Sequence, residues 1–272
     1  MQFSVATWNI NSVRLRIAHV VKVLSDCKPD VLCLQETKCP DDLFPAMDII
    51  AAGYPYIVQA GQKGYNGVAI LSRYPFSETS SMSMCGRNDA RHICATLGKE
   101  AGKAAGITIH NFYVPAGGDV PDVEENPKFA HKLQFLEDMR QWGGKSRVTQ
   151  DKAILVGDLN IAPLPDDVWS HKQLLNVVSH TPIECETLEN MRQETGWVDA
   201  LRSLLPEPEK LYTWWSYRSP KWETSNKGRR LDHIWVSSSL SGSLDSMKIV
   251  KETRGWERPS DHVPVILSMQ IP

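Results

Sequence analysis

The chain has 272 residues, 42% of them hydrophobic, and its 30 basic and 32 acidic residues give a formal net charge of −2. A chain of this length forms one large domain or two small ones, and it buries enough surface to fold without a disulfide or a metal. The near balance of charge excludes a strongly basic nucleic-acid coat protein, but it leaves open a basic patch on one face.

Strand-like and helix-like segments alternate along the whole chain. Alternating or continuous apolar runs predict strands at residues 3–8, 31–34, 68–71, 93–97, 107–114, 153–156, 234–236 and 265–269. Helical spacing predicts a first helix capped by Ser12 and further helices at about 41–52, 127–142, 165–174 and 186–204. No repeat or linker composition interrupts the pattern, so we expect residues 1–272 to form a single sheet-rich α/β domain.

Cysteine usage and the N-terminal sequence predict a cytoplasmic protein. The six cysteines include no C-x-x-C pair and no histidines at zinc-finger spacing, so we expect free thiols in a reducing compartment. Cys33 lies in an apolar run and is interpreted as a small buried residue. The N-terminus has no signal-peptide pattern, and no run reaches the ~18 apolar residues of a membrane span.

Polar side chains directly follow or precede several of the predicted strands. Active sites of layered α/β proteins collect at strand ends, whereas polar residues with a purely structural role would be scattered along the chain. The residues at these positions are Asn9, Asn11, Glu36, Asp158, Asn160, Asp261 and His262.

Two of these motifs could bind a metal ion. Glu36 ends an apolar strand, where a carboxylate can be a solvated side chain or an oxygen ligand for Mg²⁺. Gly157 allows a sharp turn after another apolar strand, and the spacing of Asp158 and Asn160 predicts both side chains on one side of an extended segment. That pair can form an ordinary Asx turn, or it can bind a metal and hold a water molecule against a phosphorus atom.

A histidine and a phenol complete the candidate set. Asp261 and His262 are adjacent, and neighbours on a strand point to opposite faces. We therefore expect Asp232, on another strand of the sheet, to pair with the His262 ring and to leave Asp261 free for a metal. Tyr113 ends a strand, where it can be a packed residue or a phenol that hydrogen-bonds a phosphate or a leaving oxygen.

Together these residues offer a metal site, a pair that can position water, a His–Asp pair and a phenol. No motif for a covalent nucleophile, such as G-x-S-x-G, accompanies them. The combination favours in-line attack of water on a phosphate ester, in which positioning and electrostatics supply most of the catalysis.

Seven motifs along the chain resemble, in order, those of one family. They are Thr7-Trp8-Asn9-Ile10-Asn11, Leu34-Gln35-Glu36-Thr37-Lys38, Gly67-Val68-Ala69-Ile70, Tyr113-Val114-Pro115, Gly157-Asp158-Leu159-Asn160-Ile161-Ala162, Arg230-Leu231-Asp232 and Ser260-Asp261-His262. Over about residues 1–270 the chain is similar to the abasic-site (AP) endonucleases of the exonuclease III type, in the endonuclease/exonuclease/phosphatase superfamily.

The resemblance implies a fold and an activity. The fold would be a four-layered α/β sandwich, and the protein would be a monomeric DNA-repair nuclease that depends on Mg²⁺, with Mn²⁺ as a substitute. Its substrate would be double-stranded DNA with abasic sites or blocked 3′ ends. It would cut the backbone 5′ to abasic sites and act as a 3′→5′ exonuclease and 3′-phosphatase.

The resemblance also implies metal ligands. Glu36 would be the main ligand, with Asn9 and Asp261 close to the metal. Asp158 and Asn160 would position or deprotonate the attacking water, and they could hold a second metal.

The remaining catalytic roles would fall to three side chains. His262, oriented by Asp232, would contact the scissile phosphate or accept a proton. Tyr113 would stabilise the phosphate or the leaving oxygen. The resemblance leaves open which of Asp158, His262 and Tyr113 serves as base or acid.

The segment 210–230 carries the strongest indication of DNA as the substrate. Its cations alternate with aromatic rings, a combination typical of surfaces that bind phosphates and stack on bases, although an exposed loop with a hydrophobic anchor is the alternative. The cations are Lys210, Arg218, Lys221, Lys227, Arg229 and Arg230, and the rings are Tyr212, Trp214, Trp215, Tyr217 and Trp222. By the family pattern, Trp214 and Leu231 line a pocket for the abasic sugar and Arg91 contacts the DNA backbone. Arg229 departs from that pattern, because animal relatives have a pocket tryptophan there.

Two other functions remain open at this point. A superfamily phosphatase acting on phospholipid or inositol phosphate would keep the metal and histidine motifs but lack the basic, aromatic segment 210–230. A non-catalytic DNA-binding module would keep the fold without needing Asp158 or His262. The local charge favours DNA, because residues 184–209 hold seven acids and two bases while 210–230 hold six bases and one acid.

Overall fold

The structure, a computed structural model, describes residues 1–146, 149 and 151–272. In chain order its strands are β1 (Gln2–Asn9), β2 (Val31–Gln35), β3 (Tyr56–Ala60), β4 (Val68–Ser72), β5 (Phe76–Ser80), β6 (His92–Leu97), β7 (Thr108–Tyr113), β8 (Ala153–Asp158), β9 (Val198–Asp199), β10 (Trp214–Trp215), β11 (Gly228–Arg229), β12 (Asp232–Val236), β13 (Leu244–Ile249) and β14 (Val265–Gln270). Its helices are α1 (Ile17–Cys27), α2 (Ala46–Ala51), α3 (Pro127–Ser146), α4 (His171–Leu174), α5 (Pro182–Thr195), α6 (Ala200–Leu204), α7 (Trp222–Ser225) and α8 (Ser238–Ser241). Each of the eight predicted strands coincides with one of these elements.

The strands form two six-stranded sheets and a separate ribbon of β10 and β11. The first sheet has the order β13-β14-β1-β2-β4-β3, and the second has the order β5-β6-β7-β8-β12-β9. Apolar side chains of both sheets share one core, while α1 and α2 pack on the outer face of the first sheet and α3 and α5 on that of the second. The predicted four-layered α/β sandwich is therefore confirmed. Among the described residues, no helix has the length and apolar character needed to cross a membrane.

Strand pairing brings the predicted site residues together. β1 runs parallel to β2 with Asn9 opposite Gln35, and β7 runs parallel to β8 with Tyr113 opposite Asp158. β12 is antiparallel to β8, so its first residue, Asp232, pairs with Asp158. Because the carboxyl ends of parallel strands lie at one edge of a sheet, the functional side chains that follow them are neighbours.

Four strands that the sequence pattern does not predict form the edges of the two sheets. β3 and β13 border the first sheet, and β5 and β9 border the second. Side chains of β3, β5 and β13 are partly or fully exposed. A strand covered on one side needs no continuous apolar run, so the criterion that finds central strands misses edge strands.

The first helix begins later than predicted. Ser12 does not cap it, because α1 begins at Ile17 and Ser12 has a positive φ of 86°. The Ser12 and Val13 N–H groups donate instead to the carbonyl oxygens of Glu36 and Thr37, at 2.8 and 3.0 Å. The segment before the helix therefore holds the loop that carries Glu36. This contact joins residues that are distant in sequence, so the spacing of apolar residues along a helix cannot predict it.

The other helix predictions have mixed outcomes. The helix predicted at 127–142 is confirmed as part of α3. The helix predicted at 186–204 is interrupted, because Gly196 adopts a positive φ of 81° and ends α5, so that β9 and α6 follow as separate elements. The predictions 41–52 and 165–174 are each wrong in extent, since each segment is a 3-10 turn followed by a short helix, α2 or α4.

A pair of buried histidines lies on the outer face of the second sheet. His92 on β6 and His110 on β7 pack with Phe112 and Trp142, and His92 Nε2 lies 3.3 Å from His110 Nδ1. Burial lowers the pKa of His110 to about 4. Burial and the neighbouring His110 lower the pKa of His92 well below its ordinary value. The unfolded chain therefore binds more protons than the folded one as the pH falls below about 6.5.

We expect the free energy of unfolding to decrease as the pH falls from about 6.5 towards 4, and to be fully retained above that window. The shift at His110 alone amounts to roughly 3 kcal/mol. His110→Gln, whose amide oxygen can still accept a hydrogen bond from His92, should flatten this dependence. Urea unfolding of both proteins at about pH 7, 5.5 and 4.5 measures it, and an unchanged slope in the variant would contradict the assignment.

Candidate active site

Four ionisable side chains from both sheets form one cluster. Glu36 follows β2 and His262 precedes β14 in the first sheet, whereas Asp158 and Asp232 belong to β8 and β12 in the second. One ligand atom from each of Asp158, Asp232 and His262 lies within 4.8 Å of the others. We name Glu36, Asp158, Asp232 and His262 the acid–histidine cluster. It lies where the polar strand ends of the two sheets meet.

The His262 ring lies between two carboxylates. Its Nδ1 is 2.8 Å from Asp232 Oδ2, and its Nε2 is 3.6 Å from Asp158 Oδ2. The predicted His262–Asp232 contact is thus present, but Asp232 lies in the other sheet, so the contact joins the two sheets. Burial would lower the pKa of His262, but the charges of Asp232 and Asp158 outweigh burial and raise it. Burial raises the pKa of Asp158, and the charge of His262 opposes that rise.

Asn9 lies between the carboxylates of Glu36 and Asp158. Its Nδ2 donates to Glu36 Oε1 at 2.9 Å and to Asp158 Oδ2 at 2.8 Å. Its Oδ1 accepts the Asn11 N–H at 3.0 Å. One fully buried amide therefore links two like charges that would otherwise repel each other, and its role as a metal ligand stays a prediction.

Glu36 has an unusual backbone conformation and polar neighbours. Its φ is 49°, and its Oε2 lies 2.7 Å from Lys38 Nζ, which also donates to Asn11 Oδ1 at 2.7 Å. Burial would raise the pKa of Glu36, but the charge of Lys38 and hydrogen bonds from Asn9, Lys38 and Tyr113 lower it. The carboxylate is therefore ionised at neutral pH, as a metal ligand must be.

Asp158 and Asn160 form a turn rather than the extended segment that their spacing predicts. Asn160 has a φ of 55°, and its N–H donates to Asp158 Oδ1 at 2.9 Å in an Asx turn. The Asn160 Nδ2 donates to Asp158 Oδ2 at 3.2 Å and to the Val114 carbonyl oxygen at 2.9 Å. The turn and a functional pair are therefore compatible, because the turn itself brings the amide to the carboxylate.

Tyr113 lies at the end of β7, and its phenol interacts with the Glu36 carboxylate and lowers the pKa of that group. Burial and the charges of Glu36 and Asp158 raise the pKa of Tyr113 well above its ordinary value, so the phenol keeps its proton. The Arg91 guanidinium lies 4.8 Å from the Tyr113 ring centre, and its Nε is 2.7 Å from Asp89 Oδ2. Arg91 is therefore held in place beside the phenol by an acid and a ring.

A cleft of about 640 Å³ opens beside the acid–histidine cluster. Its lining joins His262 to three of the predicted DNA-binding residues, Trp214, Arg229 and Leu231. Trp214 and Arg229 pair across the β10–β11 ribbon, with the guanidinium 5.2 Å from the ring centre. Arg91 does not line this cleft among the described residues.

Asp261 connects the cleft to the acid–histidine cluster. Its Oδ2 accepts the Trp214 Nε1–H at 2.9 Å, and its Oδ1 accepts the Asn11 Nδ2–H at 3.1 Å. Burial would raise the pKa of Asp261, but the charge of His262 and these two hydrogen bonds lower it. Asp261 therefore offers an ionised carboxylate next to His262.

The basic segment 210–230 does not act as one surface. Arg230 is fully buried, with its guanidinium nitrogens 2.8 Å from Asp167 and 2.6 Å from Asp199, so the interpretation of it as a phosphate contact is wrong. Its charge neutralises two acids inside the protein. The cations of the segment that line the cleft are Arg218, Lys227 and Arg229.

Sequence reasoning misses an ion pair next to the cleft, between Lys132 and Glu184. Thr181 and Glu184 form a capping box at the start of α5, a pattern that could have placed Glu184 at a helix N-terminus. Nothing in the sequence around Lys132 distinguishes it from a surface lysine of α3.

The donor atoms around the cluster suit a hard divalent cation. Such ions prefer carboxylate and amide oxygens, and both Glu36 and Asp261 have lowered pKa values that keep them ionised. The residues that could hold the ion are Asn9, Glu36, Asp158, Asn160 and Asp261.

The model of the endonuclease/exonuclease/phosphatase family matches residues 6–262 of this sequence. The chain belongs to this family. It is 31% identical to exodeoxyribonuclease III of Haemophilus influenzae over 267 residues, which cover 95% of this chain and 97% of that protein.

Two solved structures are similar to this chain over nearly its full length. An AP endonuclease from Archaeoglobus fulgidus is 33% identical with a TM-score of 0.88, covering 97% of this chain and 98% of its own. A 3′ phosphatase from Neisseria bound to product DNA hairpin is 33% identical with a TM-score of 0.87, with the same two coverages.

Gly157, which precedes Asp158, yields a prediction about how the site is built. Its φ is 145°, and a Cβ atom there would lie 1.9 Å from the Phe112 carbonyl oxygen on the neighbouring strand. We expect Gly157→Ala to separate β7 from β8 and to lower the free energy of unfolding by more than about 3 kcal/mol.

Gly144→Ala is the matched control for that variant. Gly144 lies in α3 with nothing within 4 Å of an added Cβ, so we expect a neutral change or a gain of up to about 1 kcal/mol. Thermal unfolding of both variants measures the difference, and equal midpoints would contradict the prediction.

Proposed function

We propose that the protein is a Mg²⁺-dependent DNA-repair nuclease. It would cut double-stranded DNA on the 5′ side of abasic sites, and it would also remove nucleotides and phosphate groups from 3′ ends. One observation carries the proposal: the acid–histidine cluster opens into a cleft that cations and an indole line. We further propose that residues 1–272 act as one catalytic domain and as a monomer.

The names of its relatives agree with a DNA substrate. The Haemophilus influenzae relative is an exodeoxyribonuclease III, and one similar structure is an AP endonuclease. Another is a 3′ phosphatase bound to a product DNA hairpin. These names are those of two nucleases and a phosphatase, and two of them refer to DNA.

We propose that Asp158 and Asn160 position the attacking water. The Asn160 amide and N–H fix both oxygens of Asp158, and burial raises the pKa of that carboxyl, which makes its carboxylate a better proton acceptor. A lone pair of Asp158 can then hold the water in line with the phosphorus atom.

We propose that His262 and Tyr113 act on the phosphate as hydrogen-bond donors. Asp232 holds the His262 ring and raises its pKa, so that Nε2 carries a proton for a non-bridging oxygen. Tyr113 keeps its phenol proton, which suits donation to a phosphate or leaving oxygen. Fixed donors aimed at developing negative charge do not have to reorganise during the reaction.

The metal would be Mg²⁺, with Mn²⁺ as a substitute. We propose that Glu36 and Asp261 hold it, with Asn9 close by, while Asp158 and Asn160 could hold a second ion. When bound, the ion would neutralise charge that develops on the phosphate oxygens.

The cleft would bind DNA through charge and stacking. Arg218, Lys227 and Arg229 would neutralise phosphates, and Trp214 and Leu231 would enclose the abasic sugar. Arg91, beside Tyr113, would contact the backbone. A phosphatase that acts on phospholipid or inositol phosphate would not need an indole and three cations around the same cleft.

Cleavage of an abasic duplex in the presence of Mg²⁺ tests the proposal. We expect a cut 5′ to the abasic site, and we expect His262→Asn and Asp158→Asn each to lower kcat by about 10²–10³-fold or more while duplex binding survives. Glu36→Gln should raise the Mg²⁺ concentration needed for half-maximal rate.

The same preparation is assayed on phospholipid vesicles and inositol phosphates. Turnover of either without DNA cleavage would overturn the proposal in favour of a superfamily phosphatase. Full activity of the His262 and Asp158 variants would overturn the assigned roles.

Arg218 provides a test of the DNA-binding surface, because it is exposed and lines the cleft. We expect Arg218→Ala to weaken duplex binding and to reduce the slope of log K against log salt by about 1, since one phosphate contact is lost. Lys22→Ala, on the surface of α1, is the control and should keep the wild-type slope. Fluorescence anisotropy over a salt series measures both, and equal slopes would remove Arg218 from the interface.

A further inference from the structure

Lys132 on α3 and Glu184 on α5 form an ion pair with no exposed side-chain surface. Lys132 Nζ lies 2.5 Å from Glu184 Oε1. Its other two protons are accepted by the main-chain oxygens of Asn160, at 2.8 Å, and Ala116, at 3.3 Å. All three ammonium donors therefore have partners, and two of the partners are backbone atoms of residues that line the cleft.

These two carbonyl groups belong to different loops. Ala116 lies three residues after Tyr113, in the loop that follows β7. Asn160 lies two residues after Asp158, in the loop that follows β8. One ammonium group thus fixes the two loops that carry the phenol and the water-positioning pair.

Glu184 extends the same link to a third loop, at residues 177–181. Its Oε2 accepts the Ser179 N–H at 2.9 Å and the Thr181 hydroxyl at 2.6 Å. Ser179 has a φ of 90°, and its hydroxyl accepts a hydrogen bond from Arg229 at 2.7 Å. The third loop therefore holds a cation of the cleft in place.

Stability alone does not account for this pair. Removing two charges from water costs several kcal/mol each, and apolar pairs of similar volume are often as stable or more stable. The helices α3 and α5 already pack through apolar side chains, Leu136, Met139 and Leu188 among them. The feature that an apolar pair could not supply is the set of hydrogen bonds to the three loops.

We propose that Lys132 and Glu184 are positioning residues that hold the Tyr113, Asp158–Asn160 and Arg229 regions of the active site in one geometry. This inference rests on the proposed nuclease function. Neither residue touches the substrate or the reacting atoms. Their effect reaches the reaction through Asn160, whose carbonyl oxygen Lys132 holds while its N–H and amide hold Asp158.

The test is the double variant Lys132→Met/Glu184→Gln. It removes both charges together and leaves an amide that can still accept from the N–H groups at the start of α5, so no buried charge is left without a partner. We expect kcat on abasic duplex to fall by about 10- to 100-fold, because small displacements of positioned groups cost that much, with KM changed by less than about threefold.

The matched control is Arg140→Met/Glu194→Gln. This pair joins the same two helices, with Arg140 Nη1 2.6 Å from Glu194 Oε2, but its side chains are 39% and 54% exposed and distant in sequence from the cleft loops. We expect wild-type kcat and KM from the control.

Amide hydrogen exchange supplies a readout that does not depend on turnover. Peptides covering residues 114–118, 158–162 and 177–181 should exchange faster in the Lys132/Glu184 variant, while peptides from β1 and β2 should not change. A purely structural role would lower the thermal midpoint and speed exchange throughout the second sheet, with no specific loss of kcat, and that result would overturn the proposal.

Two outcomes separate this inference from the proposed function. If the wild-type protein does not cleave abasic DNA, the proposed function fails. If the wild-type protein cleaves and the folded double variant has the same kcat, the positioning role alone is overturned. Should Lys132→Met/Glu184→Gln not fold, Lys132→Gln/Glu184→Gln replaces it, and wild-type kcat in that variant counts equally against the proposal.

Discussion

Two aspartates, Asp158 and Asp232, face each other on neighbouring strands without any exposed surface. Buried like charges repel and lose their hydration, so the pair is stable only with positive charge and hydrogen-bond donors close by. His262 supplies the charge, and Asn9 and Asn160 donate hydrogen bonds to Asp158. His262 and Asn9 come from the first sheet and the aspartates from the second, so packing of the two sheets and assembly of the site are one event.

The same constraint accounts for the backbone conformation of three residues around the site. Glu36, Asn160 and Asn11 all have positive φ values, and each follows directly or closely on a central strand. A strand places its last residue accurately, and a tight turn then carries the next polar side chain back towards the junction of the sheets. Functional groups held on rigid elements in this way need little reorganisation when a substrate binds. Buried acids are also neutralised at a second location, where the Arg230 guanidinium pairs with Asp167 and Asp199.

The central strands and the layered α/β class were predictable because they depend on local patterns, whereas the four-layered sandwich was predicted from the resemblance to the family. Apolar runs identify buried strands, and polar residues at their ends identify Glu36, Asp158 and His262. The edge strands were not predicted because half-exposed strands lack a continuous apolar run. The cap predicted at Ser12 is wrong because the Ser12 N–H donates to the carbonyl oxygen of Glu36, which is distant in sequence. The prediction for Asp232 places it in the wrong sheet because a sequence does not show which strands share a sheet. The sequence did not indicate that Lys132 is buried, because burial of a lysine depends on the fold around it.

Asp261 is a candidate metal ligand, and its two oxygens accept hydrogen bonds from the Trp214 indole and from Asn11. This one side chain therefore connects the wall of the cleft to the candidate metal site. Two ligands that influence each other's affinity for a protein do so by the same factor. A molecule bound against the Trp214 indole and a cation bound by Asp261 would both act on this carboxylate, so any change that one causes in the affinity for the other is matched in reverse.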